Sequence, residues 1–215
     1  MAPGQLPSTI AGPVDHEIVI KKSRFLTHLE PVGTMAEADA AIAAVRKQYW
    51  DAGHHCVALI VGPHADQQRS SDDGEPAGTA GVPMLTVLRR RDVTDVVAIV
   101  TRYFGGILLG AAGLARAYSS SVIEALDRAV LVRRAEMAEV RIDVPHLDAG
   151  RVEHALRNWA RTTGSVVSEP TYDTLAHFNL FVSPDLMTSL GDELAVVSPG
   201  AKPVVGAIQI VNVTS

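Results

Sequence analysis

The sequence predicts an α+β fold in two domains, on three observations. Stretches with apolar residues at helical spacing interleave with short apolar or alternating runs along the whole chain. The rhythm changes after about residue 134, where a second series of elements begins that is complete in itself. At 215 residues, with 47% hydrophobic and 20% charged, the chain is long enough for two ordinary domains and lies near the globular average.

Residues 1–13, rich in Pro and Gly, read as a flexible tail. Residues 14–30 alternate weakly and suggest two short strands with a turn near Lys22–Ser23. Thr34 and Glu37 then form a T-x-x-E capping box before Ala38, Ala41, Ile42, Val45 and Tyr49, the stripe of a helix. Residues 56–61 and 96–101 are short apolar runs, as in buried strands. Helices are expected over 82–90, with Pro83 in the first turn, and over about 111–129, striped by Leu114, Tyr118, Val122, Ala125 and Leu126. The first domain thus covers 14–134.

In the second domain, 135–215, a strand with Val140, Ile142 and Val144 precedes a helix capped by Asp148. Residues 165–169 and 175–182 suggest a hairpin, and His177 and Asn179 take the wet face of its second strand. Ser183 caps a further helix with Pro184 at its first position, and 204–213 closes with a strand. The order βαββαβ is that of a ferredoxin-like domain, an architecture that fixes no function.

Composition excludes several classes. No apolar stretch approaches the about 18 residues of a membrane span. The N-terminus lacks the basic and apolar regions of a secretory signal. One cysteine, Cys56, makes no internal disulfide, which fits the cytoplasm. A net charge of −5 gives no global attraction to nucleic acid, so any such contact rests on a local patch. Arg89–Arg91 and Arg133–Arg134 offer one, although arginines closing a helix also complement its dipole.

Two segments are candidates for chemistry. In the first, 69–81, Asp72, Asp73 and Glu75 offer oxygen ligands to a divalent cation, while Thr79 and nearby amides face an anion at a helix start. The plainer alternative is a solvated acidic turn with Thr79 as the cap. In the second, 102–118, a strand ends in Arg102 and Tyr103 and passes through Gly105, Gly106 and Gly110 into a helix carrying Gly113 and Arg116. Glycine lets backbone amides approach a phosphate, which Arg102 or Arg116 would flank. Equally, the glycines make the turn and permit close packing. The spacing matches neither a P-loop nor G-x-G-x-x-G. His54, His55 and Cys56 alternate across a strand without a second ligand pair, so no metal site is assigned. Cys56 opens an apolar run and reads as a core thiol, and no catalytic residue is assigned.

Together the two segments resemble the IMPACT (YigZ-like) family: D-D-G-E-P-x-G-T-A-G-x-P is met by 72–83, and R-Y-F-G-G-x-x-L-G-x-x-G-L-x-R-A-Y by 102–118. Lys22-Ser23-Arg24-Phe25 and Ala52-Gly53-His54-His55-Cys56 look like further landmarks of that family, in the expected order. The resemblance implies an N-terminal domain like those of a small-subunit ribosomal protein and elongation factors, followed by a ferredoxin-like domain. Eukaryotic relatives act on translation in a starvation-response kinase pathway through an additional protein-binding domain, for which these residues leave no room. For short members the resemblance implies binding to structured RNA or a ribosomal component. The alternatives are an enzyme or binder of a phosphorylated small molecule or nucleotide, and a protein-interaction adaptor.

Overall fold

The computed structural model describes residues 5–213, a mixed α+β chain that divides into two compact units, the first Pro7–Arg133 and the second residues 134–213 together with Gln5 and Leu6, so that the boundary falls within the first strand. The first contains all but the first two residues of β1 (Gln5–Ile10), then β2 (Val14–Ile20), β3 (Ser23–Pro31), α1 (Met35–Gln48), β4 (His54–Val61), β5 (Gln67–Ser71), α2 (Gly81–Arg90), β6 (Val96–Tyr103) and α3 (Ala111–Leu126). Its five-stranded sheet runs β2-β3-β6-β4-β5, and every neighbouring pair is antiparallel.

An antiparallel sheet usually leaves one face wet; here both are covered. Cys56, Ala58, Ile60, Val96, Ala98 and Val100 pack in one cluster with Leu85 and Leu88 of α2 and Leu114, Tyr118 and Val122 of α3. The alternate residues Val57, Leu59, Val61, Val97 and Ile99 join Ala38, Ala41 and Val45 of α1. Two buried faces explain why β4 and β6 read as continuous apolar runs. The start of α1 is capped as its sequence predicts: the Glu37 amide donates to Thr34 Oγ1 (3.2 Å), and the Glu37 carboxylate accepts from the Gly33 amide (2.7 Å).

Several sequence expectations need correction. Of the tail predicted over 1–13, residues 1–4 lie outside those described, whereas Gln5–Ile10 is a strand. The Ser8 amide donates to the Asp92 carbonyl, the Thr94 amide donates to that of Ser8, and Ile10 is buried in the α2–α3 cluster. These partners are over 80 residues distant, beyond any reading of local composition. α3 ends at Leu126 rather than 129.

The second unit contains β7 (Leu131–Val144), α4 (His146–Thr163), β8 (Val166–Val167), β9 (Thr171–Tyr172), β10 (Ala176–Val182), a 3-10 turn at Pro184–Leu186, α5 (Met187–Val197) and β11 (Val204–Val213). β10 lies antiparallel to β7 and carries β8 and β9 on its other side; β11 pairs with β7. Val140, Ile142, Phe178 and Leu180 meet Val152 and Leu156 of α4 and Leu190 and Leu194 of α5. Asp148 does not cap α4. The helix begins after Pro145, and Asp148 pairs with Arg151 (2.6 Å) in the first turn. Ser183 likewise precedes the 3-10 turn and bonds to Asp185 instead of capping α5.

Candidate functional site

The acidic segment is an ordered structural clasp in which each carboxylate has a separate duty. Asp72 accepts from the amides of Gly78 (2.8 Å), Ala80 (3.0 Å) and Gly81 (2.8 Å), capping α2 from eight residues upstream. Burial alone would raise its carboxyl, but the three amides outweigh burial and hold it below the ordinary value. Asp73 accepts from Arg46 of α1 (2.6 Å) and from the His55 amide (2.6 Å). Glu75 turns inward. Thr79, expected as a cap, instead donates to the Pro76 carbonyl (2.7 Å). Among the described residues no three His, Cys, Asp or Glu gather as a metal site.

Arg102 also departs from expectation, since it does not face solvent. Strand alternation puts it on the same face as Val96, Ala98 and Val100, and it is 6% exposed. Its Nη1 donates to Glu75 Oε1 (2.6 Å), which also accepts from the Tyr118 hydroxyl (2.7 Å). The guanidinium lies near the rings of Phe25 (5.5 Å) and Phe104 (5.6 Å), and its buried Nε finds no partner. Nearby, burial pushes the Cys56 thiol up to about 12, so it stays protonated at neutral pH. Tyr103 faces the other way, donating to Asp51 (2.8 Å) beneath Arg24.

Beyond Tyr103 the glycine segment makes a bend held tightly against the β2–β3 turn. A Cβ on Gly105 would overlap the Lys22 backbone, and the Gly105 amide donates to Ser23 Oγ (3.1 Å). Gly106 (φ 83°) and Gly110 (φ 72°) are left-handed, a conformation glycine adopts without strain. α3 then begins with no side chain capping it; its first internal bond runs from the Leu114 amide to Gly110. Gly113 and Arg116 follow, and Arg116 is exposed. The β2–β3 turn consists of Lys21 (φ 46°) and Lys22 (φ 64°), both exposed.

Two cavities flank Leu109. One, about 240 Å³, is lined by Lys21, Gly113 and Arg116. The other, about 480 Å³, is walled by Glu75, Arg102, Phe104, Leu108 and the start of α3. Among the described residues Lys21, Lys22 and Arg116 enter no ion pair. Of the expected residues, then, Gly105, Gly106, Gly110, Gly113 and Arg116 meet at one surface, with Arg102 and Glu75 forming its floor. Asp72, Asp73 and Thr79 build the clasp behind it, and Tyr103 stands apart. Lys21, Phe104 and Leu108 line these cavities without a spacing signal of their own, although Phe104, like Lys22 of the neighbouring turn, lies inside the motifs that carry the resemblance.

The Impact N-terminal domain family model matches residues 21–126, a span that holds this whole surface. IMPACT family member YvyE of Bacillus subtilis is 49% identical over 143 residues, 66% of each chain. IMPACT family member YigZ of Escherichia coli is 42% identical over 148 residues, 68% of this chain and 72% of that one. The crystal structure of an hypothetical protein superimposes with a TM-score of 0.60 at 32% identity, covering 94% of this chain and 98% of the other.

Proposed function

The chain belongs to the IMPACT family, and from that premise we propose that it is an RNA- or ribosome-associated protein acting in translation regulation in the cytoplasm. The binding surface is the Lys21–Lys22 turn, the glycine bend and the first turns of α3. One observation carries this reading: Lys21 and Arg116, in no ion pair among the described residues, share a cavity beside the uncapped start of α3, with exposed Lys22 next in the chain, in a protein whose net charge is −5. Such a patch supplies locally the attraction to phosphate that the whole molecule lacks. The second unit, read as a ferredoxin-like domain, adds another contact face, and the first unit is read as kin to ribosomal-protein and elongation-factor domains.

Affinity for RNA should fall steeply with salt, and Lys21→Ala or Arg116→Ala should each flatten the log–log slope by about one unit. In lysate gradients at low salt the wild type should travel with ribosomal particles and the double variant should stay at the top. An interaction indifferent to salt would overturn the phosphate reading. A second reading, a phosphorylated small molecule or nucleotide as the ligand, draws on the 480 Å³ cavity beside α3. It predicts thermal stabilisation by nucleotide with magnesium, about 2.7 kcal/mol at a hundredfold excess over Kd.

A further inference from the structure

We propose that the cavity beside Phe104 receives one unstacked nucleotide of single-stranded RNA, its base lying on the Phe104 ring and its phosphate against the first amides of α3. This rests on the RNA-binding reading above and specifies the form of RNA. Phe104 is 58% exposed, an unusual position for a phenylalanine in a folded chain. One side of the ring is occupied: the Arg102 guanidinium sits 5.6 Å from its centroid and is itself fixed by Glu75. The ring is therefore a braced platform with an open outer side, the feature single-stranded nucleic-acid binders use to stack bases without regard to sequence.

A second observation is independent of the ring. Arg102 and Glu75 close the inner wall of the cavity and neutralise each other there (2.6 Å), so the wall behind the ring carries no unpaired charge. The other walls, Leu108, Leu109 and Leu114, suit a flat heteroaromatic ring, and about 480 Å³ admits one nucleotide. At the mouth the amides of residues 111–113 precede the first internal bond of α3 and are free to meet a phosphate. Across Leu109, Lys21 and Arg116 stand where the next phosphates would pass. Duplex RNA hides its base faces, so the site distinguishes loops and single strands from helices.

The test is fluorescence anisotropy of the full chain with a labelled octaadenylate and with an RNA duplex of about 16 base pairs. Phe104→Ala should weaken octaadenylate binding about tenfold or more. Phe104→Trp should retain wild-type affinity, and duplex binding should be the same in all three proteins. A central 2-aminopurine should be quenched by the wild type and not by Phe104→Ala. Should Phe104→Ala bind octaadenylate as tightly as the wild type while Arg116→Ala weakens it, the stacking site is wrong and the RNA-binding reading stands. If the wild type binds neither RNA at low salt, both are overturned.

Discussion

Replacing Glu75 with alanine would leave a guanidinium stranded inside the first unit. The side chains of Glu75 and Arg102 are 3% and 7% exposed, and a single oxygen, Oε1, receives both Arg102 Nη1 and the Tyr118 hydroxyl. Removing one partner of a buried pair costs about 3–5 kcal/mol, because the remaining charge has neither water nor a counter-ion. The orphaned Tyr118 hydroxyl moves the loss toward the upper end of that range. With a urea m-value of about 1–3 kcal/mol/M, the unfolding midpoint of this unit should drop by 1 M or more. Circular dichroism follows the transition, and amide exchange in β4 and β6 assigns it to the first unit. A Glu75→Leu, Arg102→Met, Tyr118→Phe triple variant removes charge and hydroxyl together and should recover most of the loss, since apolar replacement of a buried pair is often close to neutral. A midpoint for Glu75→Ala within about 0.3 M of the wild type, under about 1 kcal/mol, would refute the argument.

Three further outcomes follow from the geometry. Asp72→Asn should cost about 1 kcal/mol by weakening the cap on α2. Because the folded carboxyl is held low, its contribution is complete above the ordinary carboxylate pKa of about 4 and drains as pH falls below it; acid titration of stability should show a shallower limb in the variant. In the second unit, hydrogen bonds to Asp143 (2.6 Å) and Asp173 (2.8 Å) hold His177 above its ordinary value. That stabilisation is complete below about pH 6.5 and is lost as pH rises through the raised folded value; calorimetry should show a melting temperature that falls across this range, and Asp143→Asn with Asp173→Asn should abolish the dependence. Gly105→Ala should cost about 1–3 kcal/mol through overlap with the Lys22 backbone, read by thermal unfolding.

The elements legible in the sequence are those whose signal is local and strong. α1 announces itself by stripe and cap, α2 by Pro83 in its first turn, α3 by its apolar stripe, and β4 and β6 by apolar runs, since residues on both faces of those strands are buried. β5 was invisible because Gln67–Ser71 is a polar edge strand held through its backbone to β4. β8 falls inside the strand expected over 165–169 and pairs with β10 as that hairpin requires, whereas β9, at two residues, is shorter than any periodicity can register. At the site, the glycines and Arg116 were legible as a surface. The charge of Arg102 points to the surface, whereas its register, two residues on from Val100 in the series Val96, Ala98, Val100, turns it inward. Its partner Glu75 lies 27 residues away, a pairing no spacing rule supplies. Asp72 likewise resembled a ligand because its amide partners exist only once the turn has formed.

The Lys21–Lys22 turn has a consequence for evolution and engineering. A two-residue hairpin loop with both residues left-handed favours Asn-Gly, and two lysines there strain the backbone by about 1–2 kcal/mol each. Lys21→Asn with Lys22→Gly should therefore raise the melting temperature while erasing two of the three cations around α3. Selection for robustness alone would drift toward that change, so a screen for thermostable variants should enrich it and return proteins that fold better and bind less.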